Sequence, residues 1–203
     1  LLGNPLTKEE LINLSAAIEG HPDNTTPAIL GGLVTCAVHQ GKVYSVSVPV
    51  DRHAKFVALI PPGTLKTSHA RSVLPTTVSR ENAVFNLSRA GLMTASLFSG
   101  SLENLKIATD DVLHQPFRMG LISGAETAFR VAYDAGAYGV YISGAGSTVM
   151  AIIGDKDETF AERVALELKK NGKTMVFVTH SMESVKNLCD RAVWLYDGKI
   201  RMD

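Results

Sequence analysis

The 203-residue sequence has little of what would announce a specialised scaffold. It holds two cysteines, Cys36 and Cys189, and they form no motif. That excludes a disulfide framework and a Cys/His zinc site, and makes a reducing compartment, the cytoplasm, the expected location. Cys36 lies in the apolar run LGGLVTCAV and Cys189 in an amphipathic stretch, so both read as small buried hydrophobes. Charge of one sign is missing too: Lys+Arg 20 stand against Asp+Glu 20. Nothing electrostatic therefore points to nucleic acid or an anionic membrane as a partner. No apolar run reaches the roughly 18 residues a membrane-spanning helix needs. The opening LLGNPLTKEE lacks the basic and long apolar segments of a signal peptide. It reads as a loop following a helix, so the expectation is a chain that starts within a longer protein. GxxxxGK[ST] and GxSxG are also absent.

What is present is a 45% hydrophobic composition, enough for a sizeable core, cut into alternating helix and strand patterns. LTKEELINLSAAIEG has helical apolar spacing, with Thr7 and Glu10 placed as a capping box. TTPAILGGLVTCAV suits a short helix entering a strand, HQGKV a hairpin turn, and KVYSVSVPV and KFVALIPP two strands. SRENAVFNLSRAGLMTASLFSG predicts a long helix between the cap Ser79 and the stop Gly100. LENLKIATDD and GLISGAETAFRVAYDAG predict further helices, and YGVYISGAGSTVMAII predicts strand, glycine-rich turn, strand. DETFAERVALELKKNG predicts a helix, TMVFVTH a buried strand, SMESVKNLCD a helix, and RAVWLYDGKI a strand and turn. The class is α/β or α+β.

Four segments could carry chemistry. AIEGHPDN crowds Glu19, His21, Asp23 and Asn24 into one bend. Either Asp23 or Asn24 caps the next helix, or the cluster holds a small polar substrate or a metal-bound phosphate. In LKTSHARSVLP, Thr67 and Arg71 flank a loop; the guanidinium suits a carboxylate or phosphate, or an ordinary surface ion pair. In DDVLHQPFRMGLI, His114 and Arg118 are four apart and would share a helix face. In SGAGST, the small residues Ser143, Gly144 and Gly146 would let backbone approach a ligand or form an anion nest, or simply close a hairpin.

Taken in order, IEGHPDNTTPAILGGLV, LKTSHARSVLP, LHQPFRMGLI and GVYISGAGSTVMAII resemble the C-terminal two-thirds of the homoserine kinases, of the GHMP kinase superfamily, over residues 1 to about 170. The resemblance implies ATP-dependent phosphorylation of the L-homoserine hydroxyl, on the route to threonine, with ATP and Mg²⁺ as cofactors. It implies that His21, Asn24, Thr67, Arg71, Arg118 and Gly144 bind substrate, with the two arginines on its carboxylate. Asp23, Ser143 and Gly146 would line the site, and Glu19 would face Mg²⁺. No side chain stands out as a catalytic base, which suits phosphoryl transfer by positioning and charge neutralisation. A homodimer is compatible with it.

The sequence also departs from the family. Ser147 stands where the family pattern has proline. The Gly/Ser-rich loop that holds ATP phosphates in these kinases is expected upstream of Leu1. From about Gly172, GKTMVFVTHSMESVKNLCDRAVWLYDGKI resembles the end of an ABC-transporter ATPase domain, with His180 at its H-loop. The expected architecture is α+β: a partial GHMP N-terminal domain over 1–60, a ferredoxin-like C-terminal domain over 61–170, and a foreign β-α-β tail over 171–203, an apparent fusion of fragments. As it stands, the chain is expected to lack kinase turnover. The alternatives are a non-catalytic amino-acid-binding remnant and, from the tail, an ABC-type ATP-binding subunit.

Overall fold

The fold begins at a capped helix. In the computed structural model, which describes residues 5–174, 176, 178, 181–196 and 199–202, Thr7 and Glu10 form the capping box at the head of α1 (Lys8–Glu19). The Glu10 carboxylate accepts from the Thr7 N–H at 2.8 Å, and the Thr7 hydroxyl accepts from the Glu10 N–H at 3.2 Å. Helix α2 (Thr25–Leu30) leads into the antiparallel hairpin of β1 (Leu33–His39) and β2 (Lys42–Val48). Its two-residue turn places both Gln40 (φ 49°) and Gly41 (φ 75°) in the left-handed region, as a type I′ turn requires. One hairpin face sets Cys36 and Val43 against Ile12, Ala16, Ile29 and Leu30. The other leaves Tyr44 and Val46 exposed.

A second body is built on a three-stranded antiparallel sheet of order β3-β5-β4. Its strands are β3 (Ala54–Leu59), β4 (Gly139–Ile142) and β5 (Val149–Gly154). Between β3 and β4 run α3 (Thr67–Ser72), α4 (Arg80–Ser99), a 3₁₀ turn (Leu102–Asn104), α5 (Leu105–Ala108), α6 (Gln115–Met119) and α7 (Ala125–Asp134). After β5 come α8 (Phe160–Lys170), α9 (Met182–Leu188) and the hairpin β6 (Trp194–Tyr196) and β7 (Lys199–Met202). Ser79 accepts from the Asn82 N–H at the head of α4, and Gly100 ends that helix in the left-handed region.

Strands β4 and β5 are buried on both faces, while β3 is largely exposed. Val140, Ile142, Val149, Ala151 and Ile153 pack with Val131, Ala132, Phe160, Val164 and Leu168 of α7 and α8. Ile152 points the other way, onto Leu97, Leu102, Leu105 and Ala108. Double burial explains why β5 reads VMAII, an unbroken apolar run instead of an alternating one. The strand order is that of a ferredoxin-like sheet, and β3 is its first strand, so the sheet draws on residues before 61. Among the described residues no strand lies beyond β3.

Some details differ from the sequence reading. TSHARS is one and a half turns of helix instead of loop, because Ala70 is fully buried and its N–H bonds back to Lys66. Cys36 and Cys189 are free and half-buried, not fully enclosed. Of the segment read as a buried strand, Val176 and Val178 are 95% and 87% exposed. His180 lies outside the described residues.

Phe160 is fully buried between helix and sheet. Phe160→Ala is expected to cost about 3–5 kcal/mol of unfolding free energy, read as a fall in the urea midpoint at constant slope.

Candidate functional site

The geometry of the site follows from one buried cation. Arg118, on α6, is 8% exposed. Its Nε donates to the Ala70 carbonyl of α3 at 3.1 Å, and its Nη1 donates to the Gly144 carbonyl at 2.9 Å. Nη1 also lies 3.5 Å from His114 Nδ1, the neighbour four residues away that the spacing predicts. One guanidinium thus joins α3, α6 and the Ser143–Thr148 turn. Arg71 follows Ala70 on α3; its side chain is exposed and makes no ion pair among the described residues. Thr67, at the first position of α3, is exposed as well.

The turn is closed by its own backbone: Ser143 N–H donates to the Thr148 carbonyl at 2.9 Å, and Gly146 N–H to the Ser143 carbonyl at 2.9 Å. The two glycines differ in purpose. Gly144 (φ 54°) has open space where a side chain would stand. Gly146 (φ 90°) has none: a Cβ there would sit 2.8 Å from Ile122 Cδ1. Gly146 is therefore a packing glycine, and Gly144 faces the open side with Ser143, which is exposed.

The loop that presents α6 is organised by Asp111. Its carboxylate accepts from the backbone N–H groups of Leu113 at 3.1 Å, His114 at 2.8 Å and Gln115, and from the Asn86 amide of α4. Burial works against the charge, but these donors outweigh it and hold the Asp111 carboxyl below the usual range. Burial also pushes His114 below its ordinary value; Asp111 pulls it up and Arg118 pushes it further down.

The polar bend forms a separate cluster between α1 and α2. His21 contacts the carboxylates of Asp23 and, at 3.8 Å, Glu19. Its Nδ1 lies against Asp23 without hydrogen-bond alignment, so the atom is in contact yet unpaired. Asn24 occupies the cap position of α2 but its side chain makes no capping bond. No hydrogen bond or ion pair among the described residues joins this bend to Arg118 or the glycine turn.

Sequence reasoning missed two residues here. Thr25 and Thr26 carry buried hydroxyl oxygens without a partner, and Thr26 is fully buried. Buried polar atoms are almost always satisfied, so orphans gathered at one bend mark a place where a polar group from elsewhere would fit. The only signal in the sequence was TTP, which reads as an ordinary helix start.

Among the described residues, no group of three His, Cys, Asp or Glu is arranged to hold a metal ion. No described helix is long and apolar enough to cross a membrane.

Known proteins resemble the chain over most of its length. Residues 93–174 match the family described as GHMP kinases C terminal. The chain is 42% identical over 172 residues to a homoserine kinase of Clostridium beijerinckii, covering 85% of this chain and 58% of that protein. It is 38% identical over 181 residues to one of Caldicellulosiruptor saccharolyticus, covering 87% and 59%. The crystal structure of a homoserine kinase from Cytophaga hutchinsonii superposes with a TM-score of 0.75 at 26% identity, over 84% of this chain and 55% of that one. The chain thus spans under two thirds of the length of these relatives.

Because His114 is held below its ordinary value, the unfolded chain binds a proton there more readily than the folded chain. The folded state is therefore unpenalised above the unfolded pKa and loses stability as pH falls through it. His114→Gln, which cannot protonate, is expected to flatten the decline in melting temperature between pH 7 and pH 5. A decline as steep as in the parent would remove His114 as its source.

Proposed function

We propose that this chain, which matches the GHMP kinase C-terminal family over residues 93–174 and is similar over most of its length to homoserine kinases, forms the substrate-binding part of a kinase that phosphorylates the hydroxyl of L-homoserine with ATP. The observation that carries this is Arg71. Its guanidinium is exposed and without an ion-pair partner among the described residues, on a helix that Arg118 fastens to the glycine turn.

In this reading Arg71 meets the substrate carboxylate, with Arg118 Nη2, which has no acceptor among the described residues, beside it. Thr67, Ser143 and Gly144 line the same side. His21, Asn24 and Asp23 present polar groups to the rest of the amino acid, with the buried, unpaired Thr25 and Thr26 hydroxyls behind them. Glu19 is exposed and offers one carboxylate. That suits Mg²⁺ only as a joint ligand with nucleotide phosphates, since Mg²⁺ in kinase sites keeps few protein ligands. Bound in that way the ion neutralises phosphate charge; this chain's own residues orient the acceptor. In this reading catalysis works by positioning and charge neutralisation. A cytoplasmic setting follows the same reading.

Calorimetric titration of L-homoserine into the purified chain is the test. Binding is expected, and Arg71→Ala is expected to weaken it about tenfold or more through loss of a charge-assisted contact. With ATP added, no O-phosphohomoserine is expected from this chain alone. No binding, or binding indifferent to Arg71, overturns the substrate reading; turnover overturns the expectation of inactivity.

A further inference from the structure

We infer that Gln115 is a positioning residue for this site, acting through the Ser143–Thr148 turn without touching substrate. The role rests on the functional reading above and extends it. Gln115 is the first residue of α6 and 6% exposed. Its Nε2 donates to the Thr109 carbonyl at 2.9 Å, and its Oε1 accepts from the Ile142 N–H at 2.8 Å. Ile142 is the last residue of β4, so this bond fixes the point where the chain leaves the sheet and enters the turn.

Three further observations support the assignment. Strand β4 pairs only with β5 among the described residues, so its outer edge would expose unpaired N–H groups. Side chains close that edge: the Tyr133 hydroxyl accepts from Val140 N–H at 3.2 Å, and Gln115 accepts from Ile142 N–H. Next, Gln115 and Arg118 are three apart on α6, so one helix face holds the turn twice, at the Ile142 N–H and at the Gly144 carbonyl. Finally, Gln115 is itself anchored, because its backbone N–H donates to Asp111, which Asn86 ties to α4. A side chain fixed at both amide ends and at its backbone has one orientation to offer.

Tyr133 supplies the internal control. It makes the same kind of bond to the same strand edge, two residues further from the turn. A purely structural role predicts that losing either bond has the same consequence. A positioning role predicts that only the bond at Ile142 governs ligand affinity.

The experiment compares Gln115→Met, Gln115→Glu and Tyr133→Phe with the parent chain. Melting temperature, L-homoserine affinity and amide hydrogen exchange at Ser143 and Gly146, the hydrogen-bonded amides of the turn, are measured. Gln115→Met and Tyr133→Phe are both expected to lower the melting temperature. Gln115→Met is expected to weaken L-homoserine about tenfold and Tyr133→Phe less than about threefold, the former being the scale of one lost buried hydrogen bond. Gln115→Glu keeps an acceptor for Ile142 N–H but sets a carboxylate oxygen against the Thr109 carbonyl, so it is expected to recover the affinity only in part. Exchange at Ser143 and Gly146 is expected to quicken in Gln115→Met alone. Parent-like affinity in Gln115→Met, an equal loss in Tyr133→Phe, or unchanged exchange each overturns the inference. If the parent binds no L-homoserine, the functional reading falls and this role falls with it. That failure is told apart because it appears before any substitution is made.

Discussion

A guanidinium buried between two carbonyls is the constraint on which the site depends. Removing Arg118 from water is costly unless its donors are met, and Ala70 and Gly144 meet two of them. The exchange works in both directions. Ala70 is fully buried, and its carbonyl lies near the end of a six-residue helix with little intrinsic stability. The Gly144 carbonyl belongs to a turn with two positive-φ glycines and wide conformational freedom. Neither segment would hold its place alone. The buried charge ties both to α6, and α6 is tied through Asp111 to α4, so local order is borrowed from the longest helix.

The sheet adds a second constraint, working through backbone donors. Strand β5 is satisfied on both edges and buried on both faces, which leaves it nothing to offer a ligand. Strand β4 is different: its outer edge is completed by Gln115 and Tyr133, and Gly139 lets it approach α5 closely, since a Cβ there would lie 2.8 Å from Thr109 Cγ2. Thr109 in turn bonds the Leu105 carbonyl and contacts the Tyr133 hydroxyl. The outer edge of the strand that feeds the glycine turn is thus held by side chains from α6 and α7, its inner edge being paired with β5. This makes the position of the turn a property of particular residues.

Local features were legible in the sequence because local chemistry decides them. Thr7 with Glu10, Ser79 with Gly100, and Gln40-Gly41 between alternating runs each specify a cap or turn within a few residues. The strand–turn–strand around SGAGST was equally readable, and so was the proximity of His114 to Arg118. What could not be read was which atoms of Arg118 are already engaged, because Ala70 and Gly144 are 48 and 26 residues away. Gln115 drew no notice for the same reason: its partner Ile142 is 27 residues away. Gly144 and Gly146 looked equivalent as letters, and only packing against Ile122 separates them.

The two polar clusters share no direct bond among the described residues, and α4 is joined to segments on either side. Its C-terminal end holds the hairpin side: the Asp51 N–H donates to the Leu97 carbonyl at 3.0 Å, and Leu33 and Val50 pack on the cluster that contains Leu97. Its first half holds the arginine side, where the Asn86 side chain bonds Asp111 and accepts from the Val112 N–H at 3.1 Å. A 20-residue helix spans about 30 Å and bends little, so it is a stiff reference for both ends.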